Sequence, residues 1–291
     1  MHKFLRAAGF SMYQTKKEIK GLLNTLRQES GEILEFSGGS ENLCQLCIEA
    51  APGMGICIVG ERLENGDTDV EYYFPYLTGK EVTSTVECSI QRHTERETFA
   101  GLLDEYKVGI SLIYYLSNSL EYRIRRSKKE NCSVSGSRLS GFSVKGKILL
   151  PIQKTAAEIE QLKAAAQTRS SLLEAAKSGD AEAIDTLTIE DIDLYSQVTR
   201  RVEKEDLYSI IDTCFMPSGI ECDQYSIIGY IKEIEKKENR FTGEMIYDFT
   251  VEACDLTFHV GINQKDLTGE PEVGRRFKGQ IWMQGIADFK P

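Results

Sequence analysis

The apolar patterning of this 291-residue chain predicts an α+β protein in three parts. Residues 1–152 are expected to form a mainly antiparallel sheet with helices, 153–223 an acidic helical connector, and 224–291 a small β-barrel. Three observations carry this. Beyond residue 244, three segments alternate apolar and polar residues with period two, the repeat of a half-buried strand. Residues 156–177 are rich in Ala, Glu and Gln, as in a helix, and end at Ser178-Gly179. Between residues 43 and 90 the signals are those of strands and turns.

The C-terminal part has the clearest pattern. On its first strand Met245, Tyr247, Phe249, Val251 and Ala253 oppose Ile246, Asp248, Thr250 and Glu252. On the second, Leu256, Phe258, Val260 and Ile262 oppose Thr257, His259, Gly261 and Asn263. On the last, Phe277, Gly279, Ile281, Met283, Gly285 and Ala287 oppose Arg276, Lys278, Gln280, Trp282 and Gln284. Residues 227–234 are apolar on both faces, as in a covered strand. A loose hairpin turn is expected over 239–243 and a tight one at Cys254-Asp255. Gly279 and Gly285 predict bends or bulges, and 264–274 a turn-rich link with a short helical plug. Strand, strand, strand, plug and bent strand in that order predict an OB-like barrel.

Upstream, Thr15-Lys16-Lys17-Glu18 is a capping box that starts a helix with Ile19, Leu22, Leu23 and Leu26 on one face. Asn65-Gly66 is a type I′ hairpin signal. Val82, Ser84, Val86, Cys88 and Ile90 alternate as a strand. A second box, Thr94-Glu95-Arg96-Glu97, predicts a helix with Phe99, Leu102, Leu103 and Tyr106 inward. Strands are expected over 110–116, 120–126 and 147–152, with 133–143 a Ser/Gly-rich loop. In the connector a short helix is expected over 180–187, and a third is capped by Thr188. The helical pattern then runs through Cys214 and Phe215 until Pro217 and Gly219 stop it. Residues 172–187 look like one ankyrin-type helix pair, but no repeat of about 33 residues follows, so a plain helical hairpin is expected.

The net charge of −10 is unevenly spread. Residues 151–223 hold 7 basic and 15 acidic side chains, 224–291 hold 9 and 11, and 1–150 balance at 19 each. Within 123–147, Arg123, Arg125, Arg126, Lys128, Lys129, Arg138, Lys145 and Lys147 stand against Glu130 alone, a net of +7. The first five are a candidate anion patch. Three expectations compete: a solvated charge run, a loop docked on the acidic helices, or an anion or nucleic-acid site. Phosphate binding needs a basic groove, and the barrel segment is slightly acidic. The expected partner is therefore a protein or a small molecule rather than nucleic acid. No apolar run reaches the roughly 18–20 residues of a membrane span. Residues 1–10 are too short, and too soon followed by Lys16-Lys17-Glu18, for a secretory signal. The chain is expected to be cytoplasmic, with its eight cysteines reduced.

The stretch 196–229, with Phe215-Met216-Pro217 and Glu221-Cys222-Asp223-Gln224-Tyr225, resembles a known but uncharacterised family of anaerobic Gram-positive bacteria, a domain of unknown function. So do Leu267-Thr268-Gly269-Glu270-Pro271-Glu272-Val273-Gly274, leading to Trp282, and residues 3–10. The resemblance covers nearly the whole chain. It implies a bacterial cytoplasmic protein and transfers no activity, cofactor or site residue.

Motifs that carry chemistry are sparse. Residues 141–148 approach a P-loop, but Ile148 stands where a Mg²⁺-binding hydroxyl is needed and a strand follows instead of a helix. Gly53-Met54-Gly55 lacks the third glycine of a dinucleotide fingerprint, so a turn is expected. Cys44 and Cys47 would point to opposite faces of a strand and cannot share a metal. Neither a metal nor a cofactor is expected. Tyr230, His259, Lys278 and Trp282 form a candidate aromatic and polar platform on the barrel's outer face. The preferred alternative covers Trp282 and Tyr230 with the acidic helices, because Ile228, Ile234 and Ile286 share that side. The leading expectation is a non-enzymatic binding or assembly protein. Its rivals are an enzyme using His93 or His259 with a thiol or carboxylate in an interdomain cleft, and a nucleic-acid binder.

Overall fold

The computed structural model describes residues 3–29, 31–38, 41–64, 66–92, 98–105, 107–203, 205–219 and 223–291. A 3-10 turn at Lys3–Arg6 and helix α1 (Lys16–Leu26) come first. An antiparallel sheet follows, of β1 (Glu32–Gly38), β2 (Glu41–Ala51), β3 (Met54–Arg62) and β4 (Thr68–Leu77), in that spatial order. Next come β5 (Cys88–Arg92), β6 (Phe99–Glu105), β7 (Ile110–Leu116), α2 (Ser119–Ser127) and the long β8 (Val134–Leu149). Helices α3 (Ala156–Lys177) and α4 (Ala181–Val202) form a hairpin, trailed by the one-turn α5 (Leu207–Ile210). The chain returns through β9 (Cys214–Pro217), β10 (Gln224–Glu238), β11 (Met245–Ala253), β12 (Leu256–Asn263), β13 (Leu267–Thr268) and β14 (Arg276–Phe289).

Strands β5 to β14 make one ten-stranded sheet. Within it β10 pairs with β11, β11 with β12, β12 in parallel with β8, β8 with β14, and β14 with β10. Pairing thus runs through five strands and returns to its start. It also crosses the boundary expected at residue 152, because β8 lies before the connector. The expected strand over 147–152 is only the end of β8, and the expected Ser/Gly loop over 133–143 is its body. Those small residues suit a strand that other strands flank closely. Ser137, Ser140 and Ser143 are all buried, and a methyl group at Gly146 would come within 2.5 Å of the Phe277 ring.

The inward face follows the alternation. Phe249, Val251, Phe258, Val260, Ile262, Phe277 and Ile281 are buried in one cluster. The tight turn carries positive φ at Cys254 (49°) and Asp255 (60°). At Gly279 the β8–β14 register shifts, the bulge the sequence predicts. Gly285 instead leaves space, since a Cβ there would lie 2.8 Å from Leu139 and Tyr114.

The central strands of the four-stranded sheet, β2 and β3, are covered on both faces, while β1 is an exposed edge. Thr15 accepts from the Glu18 amide, and the Glu18 carboxylate accepts from the Thr15 amide at 2.8 Å, so the capping box is present. It sets Ile19, Leu22, Leu23 and Leu26 over Leu46, Ile48, Ile56 and Ile58. The opposite face meets the outward side of the large sheet. There Phe74 packs edge-on to Tyr115 at 4.9 Å, and Tyr115 lies 5.3 Å from Trp282. Gln284 acts as a polar rivet, accepting from the Leu77 amide at 3.1 Å and donating to the Pro75 carbonyl at 3.2 Å.

Several local expectations give way to tertiary pairing. Residues 99–105 are strand β6, and the Thr94–Glu97 box, His93 and Tyr106 lie outside the described residues. Residues 120–126 are in helix α2, not a strand. The two helices expected over 180–202 are one, α4, because Thr188 turns its hydroxyl back to the Ile184 carbonyl rather than capping. Helix α5 stops at Ile210, and Cys214–Pro217 pairs with β10 as a strand. Residues 82–86 are irregular apart from a bridge between Ser84 and Ser137. Cys47 and Cys57, expected as thiols, are disulfide-bonded, because the β2–β3 register sets them directly opposite one another.

Candidate functional site

The outward faces of β10, β11 and β12 gather ionisable groups. Glu235 stands opposite Asp248, and His259 opposite Thr250. Lys237 and His259 are therefore diagonal neighbours of Asp248, within side-chain reach. Lys237 Nζ donates to Asp248 Oδ2 at 2.6 Å, and Asp248 Oδ1 holds His259 Nδ1 at 3.0 Å. All three side chains are at most 7% exposed. Glu235 adds a second carboxylate 3.2 Å from Lys237 and pairs with Lys80, which reaches over from the segment after β4.

Burial alone would push the Asp248 carboxyl up. The His259 hydrogen bond and the Lys237 charge reverse this and hold it below its usual value of 3.8. An ionised carboxylate only accepts, so His259 donates to it through Nδ1. By register two hydroxyls flank His259, Thr250 on β11 and Ser140 on β8, and the Ser140 Oγ donates instead to the Leu77 carbonyl at 2.6 Å. Among the described residues no three His, Cys, Asp or Glu side chains come together as a metal site.

The other candidate residues lie elsewhere. Tyr230 and Lys278 meet the end of the connector. Tyr230 donates to Asp212 at 2.6 Å, which helps push its hydroxyl, already raised by burial, up to about 12. Lys278 bonds the Tyr208 hydroxyl and sits 4.3 Å above that ring. Between them the buried Arg276 donates to the carbonyls of Tyr208 (2.7 Å), Ile211 (2.6 Å) and Leu150 (2.9 Å). Trp282 is covered not by the acidic helices but by Phe4, stacked at 5.5 Å, and its Nε1 donates to Asp223 at 2.8 Å. The four platform residues therefore occupy three separate places.

In the basic segment Arg123 lies over Phe36, and Arg125 pairs with Glu121 and lies over Phe289. Arg138 is bidentate to Asp288. Arg126, Lys128 and Lys129 are exposed at and beyond the C-terminal end of α2, where cations complement the helix dipole.

A second polar cluster fastens the N-terminal stretch to the start of β11 and the end of β12. Glu244 accepts from Ser11 Oγ (2.5 Å), Asn263 Nδ2 (2.6 Å) and Lys265 Nζ (3.0 Å). These bonds outweigh burial and hold its carboxyl below the ordinary value. Arg6 pairs with Asp266 beside it.

Sequence reasoning placed Asp248 and His259 on outward faces but did not join them. The Cys254-Asp255 turn was the available signal, since it fixes the register that makes them diagonal. Lys237 carried no comparable signal, because a longer loop, whose register the sequence does not fix, joins its strand to that of Asp248.

The fold defined by these elements is a mixed α+β chain with a four-stranded antiparallel sheet seated on a larger one. The chain belongs to the family described as a domain of unknown function from an E. rectale gene description, DUF3881, which it matches over residues 5–285. No curated protein and no solved structure matches it.

Proposed function

We propose that this is a non-enzymatic assembly protein whose OB-like core is a scaffold and whose α3–α4 hairpin binds a second copy of the chain. The order β10-β11-β12-β8-β14, with its single parallel step at β12–β8, supports the OB-like description. The chain's own N-terminal stretch and sheet cover the outward side of this core at Phe142 on β8, Ile246 on β11 and Trp282 on β14. The observation that carries the proposal is the hairpin. Among the described residues α3 and α4 contact chiefly each other and α5, and Ile184, Ile189 and Ile192 are 46–62% exposed on α4. The second copy is argued from charge. Residues 151–223 carry a net of −8, while Arg126, Lys128 and Lys129 leave exposed positive charge at α2. A reciprocal two-fold dimer pairs each hairpin with the other copy's α2.

Sedimentation of the full chain tests this. The expected result is a dimer at micromolar concentration that weakens with salt, and dissociates on Ile189→Glu/Ile192→Glu or on Arg126→Glu/Lys128→Glu/Lys129→Glu. A wild-type monomer at 100 micromolar would sink the proposal. Among the described residues no helix is long and apolar enough to cross a membrane; the cytoplasmic location belongs to this proposal and is supported by the free thiols at Cys44, Cys88, Cys132, Cys214 and Cys254.

A second reading, an enzyme with His259 as general base, is favoured by the Asp248–His259 pair alone. Turnover of p-nitrophenyl acetate by the wild type that disappears in His259→Gln would support it.

A further inference from the structure

We propose that Cys47 and Cys57 are a reversible dithiol–disulfide site for low-molecular-weight disulfides, and that the buried amide of Gln45 biases it toward the dithiol. The pair sits in register on β2 and β3 with Cα atoms 4.2 Å apart, the close spacing of a non-hydrogen-bonded antiparallel pair. The β2–β3 ladder continues on both sides, with Leu46 opposite Ile58 and Ile48 opposite Ile56. The hairpin is thus closed whether or not the sulfurs are joined, and both redox states fit the same fold.

Gln45 is 91% buried on the same face. Its Nε2 donates to Cys47 Sγ (3.4 Å), toward Cys57 Sγ (3.8 Å) and to the Ser117 carbonyl (3.5 Å). Its Oε1 is buried and has no partner. A disulfide offers no hydrogen to that oxygen. Nε2 faces the sulfurs in the disulfide; a half-turn of the amide about its last torsion brings Oε1 to them, where two thiols offer S–H donors, so reduction relieves an acceptor that oxidation leaves unmet. The Ser117 carbonyl follows β7, so this amide also bridges the four-stranded sheet and the large one. The oxidation state is therefore felt at the junction of the two sheets.

Access orders the chemistry. Cys47 is half-buried and Cys57 is 2% exposed. The Cys47 thiolate attacks one sulfur of R–S–S–R and expels R–S⁻. The Cys57 thiolate then attacks Cys47 Sγ in the mixed disulfide and expels the second R–S⁻. The two protons lost by the cysteines end on the two R–SH products, and the protein gives up two electrons to the disulfide.

The test is equilibration of the full chain with glutathione at graded ratios of oxidised to reduced form, followed by acid quench, alkylation and peptide mass mapping. The expected result is one two-electron transition confined to Cys47 and Cys57, unchanged in Cys44→Ser. In Gln45→Met the midpoint should move about tenfold toward the disulfide, the size of one buried acceptor left unmet. Two sulfurs that no glutathione ratio converts would overturn the site. A Gln45→Met constant within about twofold of wild type would overturn the role of Gln45. The wild-type transition stands on its own should that variant fail to fold.

Discussion

Replacing Asp248 by Asn removes one charge from a place where little water reaches. The Lys237 ammonium, 7% exposed, would lose its 2.6 Å partner and keep only Glu235, which is 41% exposed at 3.2 Å. Breaking a buried ion pair from one side costs about 3–5 kcal/mol. Asn retains an oxygen for His259 Nδ1 and Glu235 remains, so the cost falls at or just below the bottom of that range, about 2–3 kcal/mol. For a chain of this size that lowers Tm by about 5–10 °C. The pH dependence has a defined sign. Asp248 is held below its unfolded value, so its contribution is complete above about pH 5 and is lost as pH falls through the folded value. The gap between wild type and Asp248→Asn in circular-dichroism melts should be constant from neutral pH to about 5 and close below about 4. Adding Lys237→Met should restore part of the loss by removing the stranded cation. A gap under about 1 °C at pH 7, or one that widens on acidification, would refute this account of the cluster.

Gly285→Ala should cost about 1–3 kcal/mol in urea unfolding, because its methyl enters the 2.8 Å approach of Leu139 and Tyr114. Phe4→Ala should cost about 3 kcal/mol and red-shift the fluorescence of Trp282, the chain's one tryptophan, by opening its stacked face to water. Arg276→Met should leave the carbonyls of Tyr208 and Ile211 unbonded and quicken proteolysis near residues 203–213, with α3 and α4 otherwise intact. Fluorescence anisotropy should show no appreciable binding of single-stranded DNA or RNA near physiological salt. Micromolar binding that weakens steeply with salt and is abolished by Ala at Arg125, Arg126, Lys128 and Lys129 would replace assembly with nucleic-acid recognition.

What the sequence made legible depended on whether local signals decided the outcome. The period-two faces of β11, β12 and β14 were readable because each strand buries one side, and α1 because its capping box has no competitor. Phe99, Leu102 and Leu103 fit a helical face and a strand alike, and pairing of β6 with β5 and β7 decided for the strand. The Ser/Gly run in β8 lost its strand signal because its partners lie more than a hundred residues ahead. The Asp248–His259 pair was one inference away, through the turn at Cys254. The Lys237 contact depended on the register across a longer loop, and the separation of the platform residues on the covering N-terminal stretch and the end of the connector, which no local pattern encodes.

The position of β8 has a consequence for how the chain is made. This strand leaves the ribosome before the connector and long before either of its permanent neighbours, β12 and β14. Roughly a hundred residues separate Leu149 from Leu256, and at about 5–20 residues per second the wait is on the order of 5–20 s. For that time a 16-residue strand has neither of these edges satisfied. The hairpin α3–α4 is then the next part to emerge. Its own contacts are short-range, whereas the ring of strands closes only when β14 pairs with both β8 and β10.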